Sequence, residues 1–324
     1  MAFIYPSYLE AYQNGKLDKV INNLLEMLKS CILCPRNCKV DRSKDKKGIC
    51  RTGLRAKVYS FMAHHGEEPP VSGAKGSGTI FFSNCNMNCC YCQNYEFSQE
   101  GRGREVESQE LAKFMLELQS LGCHNLNLVS PTHVLPQILE ALKIAIQSGL
   151  NIPLVYNTGG YDSQEVIKLL DGIVDIYLPD MRYADAEYSL EYSGVKDYPK
   201  VNQGAVIEMH RQVGIAQIDD AGIMKRGLII RHLVLPNSTS GTDKIMQFIA
   251  KELSLETYIS LMSQYLPYYK AAGLKDINRR LTLSEYEAAK KIMDKYGLHN
   301  GWVQESFGQE KFAGVNIKSV LKNE

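Results

Sequence analysis

Four cysteines stand close together in the stretch CNMNCCYCQN, residues 85–94. Cys85, Cys89 and Cys92 have the spacing C-x3-C-x2-C, and Cys90 is left over as an expected packing thiol. A four-iron iron–sulfur cluster is normally held by four thiolates, so three ligands would leave one iron open. A closed zinc site prefers paired C-x2-C units, of which this stretch supplies one. The spacing indicates a reactive iron–sulfur centre, with a structural zinc or iron site as the alternative.

A second group of thiols lies nearer the N-terminus. Cys31, Cys34, Cys38 and Cys50 are spaced C-x2-C-x3-C-x11-C, and Gly48 suits a turn that returns the last ligand. Four thiols make a complete ligand set for Zn²⁺ or for an additional iron–sulfur cluster. The spacing does not decide between the two metals, and unligated thiols in a small cap are the third possibility.

The composition excludes several classes of partner. Over 324 residues, 37 basic and 36 acidic side chains leave a net charge of +1, so no bulk field attracts nucleic acid or an anionic membrane. No apolar run approaches the roughly 20 residues that span a bilayer, and the N-terminus lacks a signal-peptide pattern. We therefore expect a cytoplasmic protein, in which nine cysteines serve as metal ligands or catalytic thiols rather than as disulfides.

Apolar periodicity predicts the elements that position these thiols. A helix is expected over 7–30, then a cysteine-bearing segment over 31–55 and an irregular, Gly- and Pro-rich stretch over 56–78. Six strands follow, each paired with an amphipathic helix, at 79–83, 125–129, 152–156, 174–178, 228–235 and 257–262. Six successive βα units predict a parallel sheet, either an open three-quarter barrel or a doubly wound sheet. Both arrangements place ligands at the carboxyl ends of the strands.

The cysteine triplet follows the first of these strands and has Tyr91 just before its third member. This combination resembles the radical S-adenosylmethionine (SAM) superfamily. The resemblance implies an α/β fold, a partial (βα)6 TIM-like barrel over 56–324 with a C-terminal helical segment, and a helical, cysteine-rich N-terminal extension over 1–55. It also implies a [4Fe–4S] cluster on the triplet, whose open iron binds SAM. Reductive cleavage of SAM would give a 5′-deoxyadenosyl radical that abstracts a substrate hydrogen.

Longer segments resemble the branch related to pyruvate formate-lyase activating enzyme. The resemblance covers GEEPPVSG (66–73), GSGTIFFSNCNMNCCYCQNYEFSQ (76–99), YNTGGY (156–161), YLPDMRYAD (177–185) and IIRHLVLPN (229–237). Enzymes of that branch generate glycyl radicals in partner enzymes. The resemblance therefore implies a protein or peptide substrate and an electron donor such as flavodoxin or ferredoxin.

Carried over by position, the resemblance assigns roles to individual side chains. Asp180 and Arg182 would face the SAM and substrate pocket from the fourth strand, and Arg231 from the fifth, as candidate catalytic residues. Tyr91 and Asn157 join them as candidate cofactor contacts. A guanidinium can hold the SAM carboxylate through two hydrogen bonds. The alternative is that Asp180 and Arg182 pair with surface neighbours.

The chain departs from that branch after the second strand. Activating enzymes have a Gly-Gly-Glu type segment there, which binds the SAM amino group, whereas this chain reads SPTHV (130–134). Ser130 and Thr132 still offer a backbone carbonyl and a hydroxyl as acceptors, but the carboxylate is missing. This leaves a second hypothesis, a radical SAM enzyme acting on another peptide or a small molecule. A third hypothesis is a non-catalytic iron–sulfur electron carrier or metal scaffold.

Two further polar groups carry expectations. His64–His65 and Glu67–Glu68 precede Pro69–Pro70, which indicates an ordered surface loop, with metal ligation as the alternative. His232 follows Arg231 on a predicted strand, so the two side chains should point to opposite faces of the sheet.

Overall fold

The computed structural model describes residues 5–304, which fold around one sheet of ten strands. The strands are β1 Ala56–His64, β2 Ser77–Phe82, β3 Arg104–Val106, β4 Leu126–Val129, β5 Leu154–Thr158, β6 Ile176–Pro179, β7 Gln217–Ile218, β8 Met224–Leu233, β9 Tyr258–Met262 and β10 Gly301–Val303. The helices are α1 Ser7–Gln13, α2 Lys16–Leu28, α3 Pro69–Ser72, α4 Tyr95–Ser98, α5 Ser108–Ser120, α6 Leu135–Gln147, α7 Gln164–Leu169, α8 Ala186–Ser193, α9 Tyr198–Val213, α10 Thr242–Phe248 and α11 Leu283–Lys295. None of the helices in this range is both long and apolar enough to cross a lipid bilayer.

The sheet is mostly parallel and does not close. Its strand order is β10-β9-β8-β6-β5-β4-β2-β1-β3, and β7 pairs with the start of β8. The strands from β2 to β10 along this path pair in parallel, whereas β1 and β3 join antiparallel at one edge. All six predicted strands are present in the predicted order, with boundaries shifted by at most four residues. The parallel strand β10 was not predicted.

Six helices cover the outer face of the sheet. Apolar residues of α5, α6, α7, α9, α10 and α11 share one core with strand residues such as Leu128, Tyr156 and Ile230. The alternate strand residues, such as Val155 and Ile176, belong to a separate cluster on the other face, because successive strand side chains point to opposite faces. Cover on one face is the arrangement of a rolled sheet, not of a doubly wound one, and the prediction of a partial barrel is confirmed.

The prediction of an irregular stretch over 56–78 is wrong for its first half. β1 pairs antiparallel with β2, in a register that runs from Val58 opposite Phe82 to His64 opposite Ser77. The hydrogen bonds that order β1 therefore come from residues distant in sequence. The glycines and prolines that suggested an irregular chain lie in the return from β1 to β2.

The N-terminal helices pack on the outside of the barrel. The predicted helix over 7–30 is divided into α1 and α2 at Gly15, whose φ of +76° is left-handed. α2 packs against α6 through its apolar face. The Ser7 backbone N–H donates to Asp175 Oδ1 at 2.9 Å, while Oδ2 accepts from the Leu154 N–H at 3.0 Å. Asp175 thus ties the extension to the amino ends of β5 and β6.

Residues 66–72 close the base of the barrel interior. Because β1 ends beside the first residue of β2, this return lies at the amino ends of the parallel strands. Val71 of α3 is fully buried and packs with inward-facing residues of β5, β6 and β8. The Asn125 amide nitrogen donates to the Val71 carbonyl at 2.7 Å. The expectation of a surface loop here is wrong, since Glu67 and Glu68 are both buried inside the barrel.

His232 on β8 points outward, opposite to Arg231, as predicted from their adjacent positions. Its Nδ1 lies 2.7 Å from the Met181 carbonyl and its Nε2 lies 2.9 Å from Thr242 Oγ1. Nδ1 therefore carries the proton that the carbonyl accepts. Burial lowers the pKa of His232 to about 4, because the charged imidazolium is poorly solvated there.

We predict that His232 makes the fold sensitive to acid. Between pH 6.5 and 4 the unfolded state binds more protons than the folded state, so stability falls as the pH falls through this window. From pH 7 to pH 5, wild type should lose about 2 kcal/mol more unfolding free energy than His232→Gln. Urea titrations at both pH values measure this difference, with the exposed His299→Gln as the control. Equal losses in wild type and His232→Gln would contradict the prediction.

Candidate active site

The loop after β2 brings the three predicted cluster ligands together. Burial first, and then the neighbouring Cys89 and Cys92 thiols, raise the pKa of Cys85 to about 12. The pKa of Cys92 is raised by burial and by Cys89. The Met87 backbone N–H donates to Cys85 Sγ at 3.4 Å. Thiols this resistant to deprotonation ligate only when a cation displaces their protons, as iron does.

Hydrogen-bond donors are aimed at the other two sulfurs. Arg182 Nη1 donates to Cys89 Sγ at 3.1 Å, and Ser193 Oγ donates to the same sulfur at 3.0 Å. Ser98 Oγ lies 3.1 Å from Cys92 Sγ. Donors of this kind stabilise sulfur that carries negative charge and tune the clusters bound to it. The chemistry of this donor set fits a thiolate-bound iron–sulfur cluster.

The thiols do not form a ready cage for a single ion. Within residues 5–304, no three His, Cys, Asp or Glu side chains are grouped closely enough to hold one metal ion. One zinc ion would draw its sulfur ligands to about 2.3 Å, whereas a four-iron cluster carries each thiolate on a different iron. The fit to a cluster therefore rests on the proximity of the thiols and on the donors around them.

Cys90 lies in the same buried cluster as Cys89 and Tyr91. Its backbone N–H donates to the Tyr192 carbonyl at 2.8 Å, and its own carbonyl accepts from the Lys270 N–H at 2.8 Å. The side chain packs in an aromatic cluster that includes Tyr192 and Tyr265. Burial raises the pKa of this thiol to about 12. Its surroundings agree with the expected packing role.

Asp180, at the end of β6, binds both predicted arginines. It accepts from Arg182 Nε at 3.0 Å and from Arg231 Nε at 2.8 Å. Burial alone would raise the pKa of Asp180, but the two guanidiniums hold it below its usual range. An ionised Asp180 thus fixes Arg182 against Cys89 and holds Arg231 over the barrel interior.

One cavity of about 160 Å³ adjoins these groups at the carboxyl ends of the strands. Its lining includes five predicted site residues, namely Tyr91, Asn157, Asp180, Arg182 and Arg231. Cys92 and Gln264 also line it. Asp180 and Arg182 therefore face the interior, and the alternative that they pair at the surface is wrong.

Ser130 and Thr132 lie outside the lining of this cavity. Thr132 Oγ1 donates to Asp162 Oδ1 at 2.6 Å. Asp162 is buried and also accepts from Tyr156 at 2.9 Å and from Thr158 at 2.7 Å. A carboxylate that the sequence analysis missed thus follows β5, with its oxygens occupied by three hydroxyls. The Thr132 hydroxyl is engaged in ordering the loops after β4 and β5.

Glu67 is the cavity residue that sequence reasoning misplaced. It lines the cavity from below, and its carboxylate lies within 3.5 Å of Asn157 Nδ2 and Arg231 Nη1. One feature of the sequence could have pointed to its position. Two adjacent glutamates, Glu67 and Glu68, lie between β1 and the segment that contains the buried Val71. Without knowledge of β1, nothing in the sequence indicated that this segment turns into the barrel.

The N-terminal cysteines also converge. Burial, together with smaller contributions from the thiols of Cys50, Cys31 and Cys38, raises the pKa of Cys34 to about 12. The Ile49 backbone N–H lies 3.5 Å from Cys38 Sγ and donates to it. Cys31, Cys38 and Cys50 therefore lie near enough to Cys34 to affect its ionisation, although within residues 5–304 no three of these thiols are grouped closely enough to hold one metal ion.

Two neighbouring residues place this group against the barrel. A Cβ on Gly48 would lie 2.9 Å from the Cys38 sulfur, so close approach demands glycine there. Arg36 Nε donates to the Asn86 carbonyl at 2.9 Å, and its Nη1 donates to the Gly194 carbonyl at 2.7 Å. Asn86 directly follows Cys85. The N-terminal cysteine segment is thus bound to the loop that carries the triplet.

Residues 79–190 match the family model of the Radical SAM superfamily. An uncharacterized protein of Methanocaldococcus jannaschii is 34% identical over 301 residues, which cover 90% of this chain and 82% of the relative.

Solved structures show weaker similarity. SuiB of Streptococcus suis, bound to its precursor peptide SuiA, superposes with a TM-score of 0.46 at 13% identity, over 66% of this chain and 44% of SuiB. The [FeFe]-hydrogenase maturase HydG of Carboxydothermus hydrogenoformans gives 0.44 at 16% identity, over 66% of this chain and 50% of HydG. The matched region spans about half the length of these two proteins.

Gly160 generates a prediction about how this site is assembled. Its φ is +77°, and a Cβ would lie 2.2 Å from the Asp180 carbonyl oxygen and 2.2 Å from Asn202 Nδ2. Gly160→Ala should therefore lower the unfolding free energy by about 3 kcal/mol, about 1 from the left-handed backbone and about 2 from overpacking.

The matched control is Gly149→Ala. Gly149 has a φ of +92° with nothing within 4 Å of its Cβ position, so only the backbone cost of about 1 kcal/mol applies. Urea unfolding measures both variants. Equal destabilisation would show that the close approach to Asp180 carries no cost.

Proposed function

Since the chain belongs to the radical SAM superfamily, we propose that it is an enzyme whose Cys85, Cys89 and Cys92 hold a [4Fe–4S] cluster and whose adjoining cavity binds SAM. The observation that carries this proposal is the junction of the thiol triplet with the buried Arg182–Asp180–Arg231 array. When bound, the cluster and SAM supply reductive cleavage of the SAM sulfonium and hydrogen abstraction from a substrate.

The charged residues have separate tasks in this proposal. Arg182 lies against Cys89 and offsets the negative charge of the cluster ligands. Arg231 presents a guanidinium to the cavity, where it can bind a carboxylate such as that of SAM. Asp180 positions both arginines and keeps their charges from repelling each other. These roles need no movement of the backbone.

Two neutral residues complete the proposed SAM site. Asn157 offers amide groups at the end of β5, where they face the cavity. Tyr91 is buried, and its hydroxyl pairs with that of Tyr183 at 2.6 Å. Its ring meets that of Tyr265 edge-on, with centroids 5.6 Å apart. Tyr91 therefore holds the backbone between Cys90 and Cys92 in place and excludes water from one side of the triplet.

For the substrate, the resemblance of residues 76–99 and of the later strand ends to activating enzymes supports the glycine of a glycyl-radical enzyme or another peptide. A small molecule is the second candidate, and the closed base of the barrel favours it, since the cavity above residues 66–72 has a volume of only about 160 Å³. For the electron donor we propose a flavodoxin or ferredoxin.

We further propose that Cys31, Cys34, Cys38 and Cys50 hold a second metal, either Zn²⁺ or an auxiliary iron–sulfur cluster. Their mutual proximity and the N–H donor on Cys38 support a thiolate metal centre. Because Arg36 donates to the Asn86 carbonyl, metal binding by the N-terminal cysteines would also help to order the loop that carries Cys85, Cys89 and Cys92.

The proposal predicts that SAM cleavage needs each member of the triplet. In anaerobically reconstituted, reduced protein, Cys85→Ala, Cys89→Ala and Cys92→Ala should each lower 5′-deoxyadenosine formation at least about 100-fold, because the cluster loses a ligand. Cys90→Ala is the matched control and should keep most of the activity. Electron paramagnetic resonance with and without SAM reports the cluster itself. Nucleoside formation retained in a triplet variant would reject the assignment.

The second centre makes its own prediction. Cys34→Ser should lose the metal bound by the N-terminal thiols while the triplet's SAM-dependent spectrum persists. Metal analysis for iron and zinc on matched preparations measures the loss and identifies the element, with Cys123→Ser as the control cysteine. Unchanged metal content in Cys34→Ser would mean that the N-terminal thiols are unligated.

A further inference from the structure

Two carboxylates lie at the base of the barrel, away from the cysteine loop. Glu67 and Glu68 belong to the segment that closes the interior from below. Asn127 and Ser260, which are mid-strand residues of β4 and β9, lie near the Glu67 and Glu68 carboxylates respectively, and each lowers the pKa of the carboxylate beside it. The triplet follows the carboxyl end of β2. The carboxylates therefore lie below the cysteine loop in the same interior, and Glu67 and Cys92 line one cavity.

Arg231 does not form a close hydrogen bond with the Glu67 carboxylate. Its Nη1 lies 3.5 Å from Glu67 Oε2, whereas its Nε and Nη2 each lie 2.8 Å from Asp180 Oδ1. Asn157 Nδ2 approaches the two Glu67 oxygens at only 3.3 and 3.4 Å. Hydrogen bonds between charged partners are normally about 2.7–2.9 Å long. Glu67 thus retains the capacity for a closer donor.

Two buried acceptors beside Glu67 have no donor at all within residues 5–304. They are Glu68 Oε2, on a residue that is 8% exposed, and Asn127 Oδ1, on a residue that is 0% exposed. Buried polar atoms are almost always hydrogen-bonded, so such a pair needs an explanation. Both atoms only accept, and a group rich in N–H donors would satisfy them together.

The charge balance favours a cation. Within residues 5–304, the cationic groups that lower the pKa values of Glu67, Glu68 and Asp180 are the guanidiniums of Arg231 and, for Asp180, Arg182. A proton is the competing occupant, because burial raises the pKa of Glu68 to about 7. A bound cation would favour the ionised carboxylates and displace that proton.

We propose that Glu67, Glu68 and the Asn127 amide oxygen form a receptor for a cationic group of the substrate, an ammonium or a guanidinium. This inference rests on the proposed function and narrows its substrate class to molecules or side chains with such a group. The cation is held at the base, and the carbon that loses hydrogen points up toward the triplet. A substrate with an anionic end is excluded from this position.

The test uses the full-length, cluster-reconstituted protein saturated with SAM. Isothermal titration compares n-butylammonium and n-butylguanidinium with n-butanol and butyrate, which have the same alkyl chain and a neutral or negative end. At least one cation should bind tenfold more tightly than n-butanol, and butyrate should bind no better than n-butanol. Equal affinities of cations and alcohol would overturn the proposal.

Variants assign the binding to the carboxylates. Glu67→Gln and Glu68→Gln keep the side-chain shape, and each should weaken cation binding at least tenfold. Glu117→Gln, at an exposed position of α5, is the control and should change nothing. Circular dichroism verifies folding, and if one glutamine variant misfolds, the other still decides. Cation binding unchanged in the folded glutamine variants would overturn the proposal.

A parallel titration with SAM separates this receptor from the SAM site. Glu68→Gln, whose side chain does not line the cavity proposed for SAM, should bind SAM within about twofold of wild type. A tenfold loss of SAM affinity would instead assign the carboxylates to the SAM amino group and overturn the inference. Cation binding without SAM cleavage would reject the proposed function but support the cation receptor. The failure of one proposal can therefore be distinguished from the failure of the other.

Discussion

Asp180 is the residue on which the arrangement of the site depends. A charge inside a folded protein is costly unless it is paired, and removal of one partner leaves the other uncompensated. Asp180 pairs with Arg182 and Arg231 at once, which places one guanidinium against Cys89 and the other over the barrel interior. The Tyr198 hydroxyl and the Asn202 amide both donate to the Asp180 carbonyl. The backbone at the end of β6 is thereby held by two residues of α9.

The open barrel creates a second requirement, because an incomplete ring of strands leaves its interior accessible at the base. Here the return from β1 to β2 fills that space, with Val71 packed among inward-facing apolar residues. The same segment carries Glu67 and Glu68 into the interior. One segment of seven residues, 66–72, thus closes the barrel and also places two carboxylates in its interior.

The two cysteine groups are joined through ordinary polar contacts. Arg36 binds carbonyls of Asn86 and Gly194, and its guanidinium also lies 5.7 Å from the centroid of the Tyr161 ring. On the other side, Arg51 donates to the Ser98 carbonyl at 2.8 Å. Ser98 in turn contacts Cys92. The extension therefore supports the loop of the triplet from two directions, and its cysteines would affect the order of that loop even with a purely structural metal.

Much of this organisation is encoded locally. The spacing of Cys85, Cys89 and Cys92 depends only on neighbouring positions, and the six strands and most helices follow from short-range periodicity. The chemistry and the fold class could therefore be predicted. Asp180, Arg182 and Arg231 could be placed at strand ends for the same reason, since parallel strands bring their carboxyl ends to one edge.

What the sequence by itself determined was the spacing of the cysteines, the order of the parallel strands and the strand ends that carry polar residues. The tertiary structure alone decided that β1 forms beside β2, that residues 66–72 turn inward, and that Thr132 is engaged by Asp162. These features depend on hydrogen bonds and burial between residues far apart in the chain. Local sequence propensity cannot predict such contacts, because they stabilise the chain only after the barrel has brought these residues together.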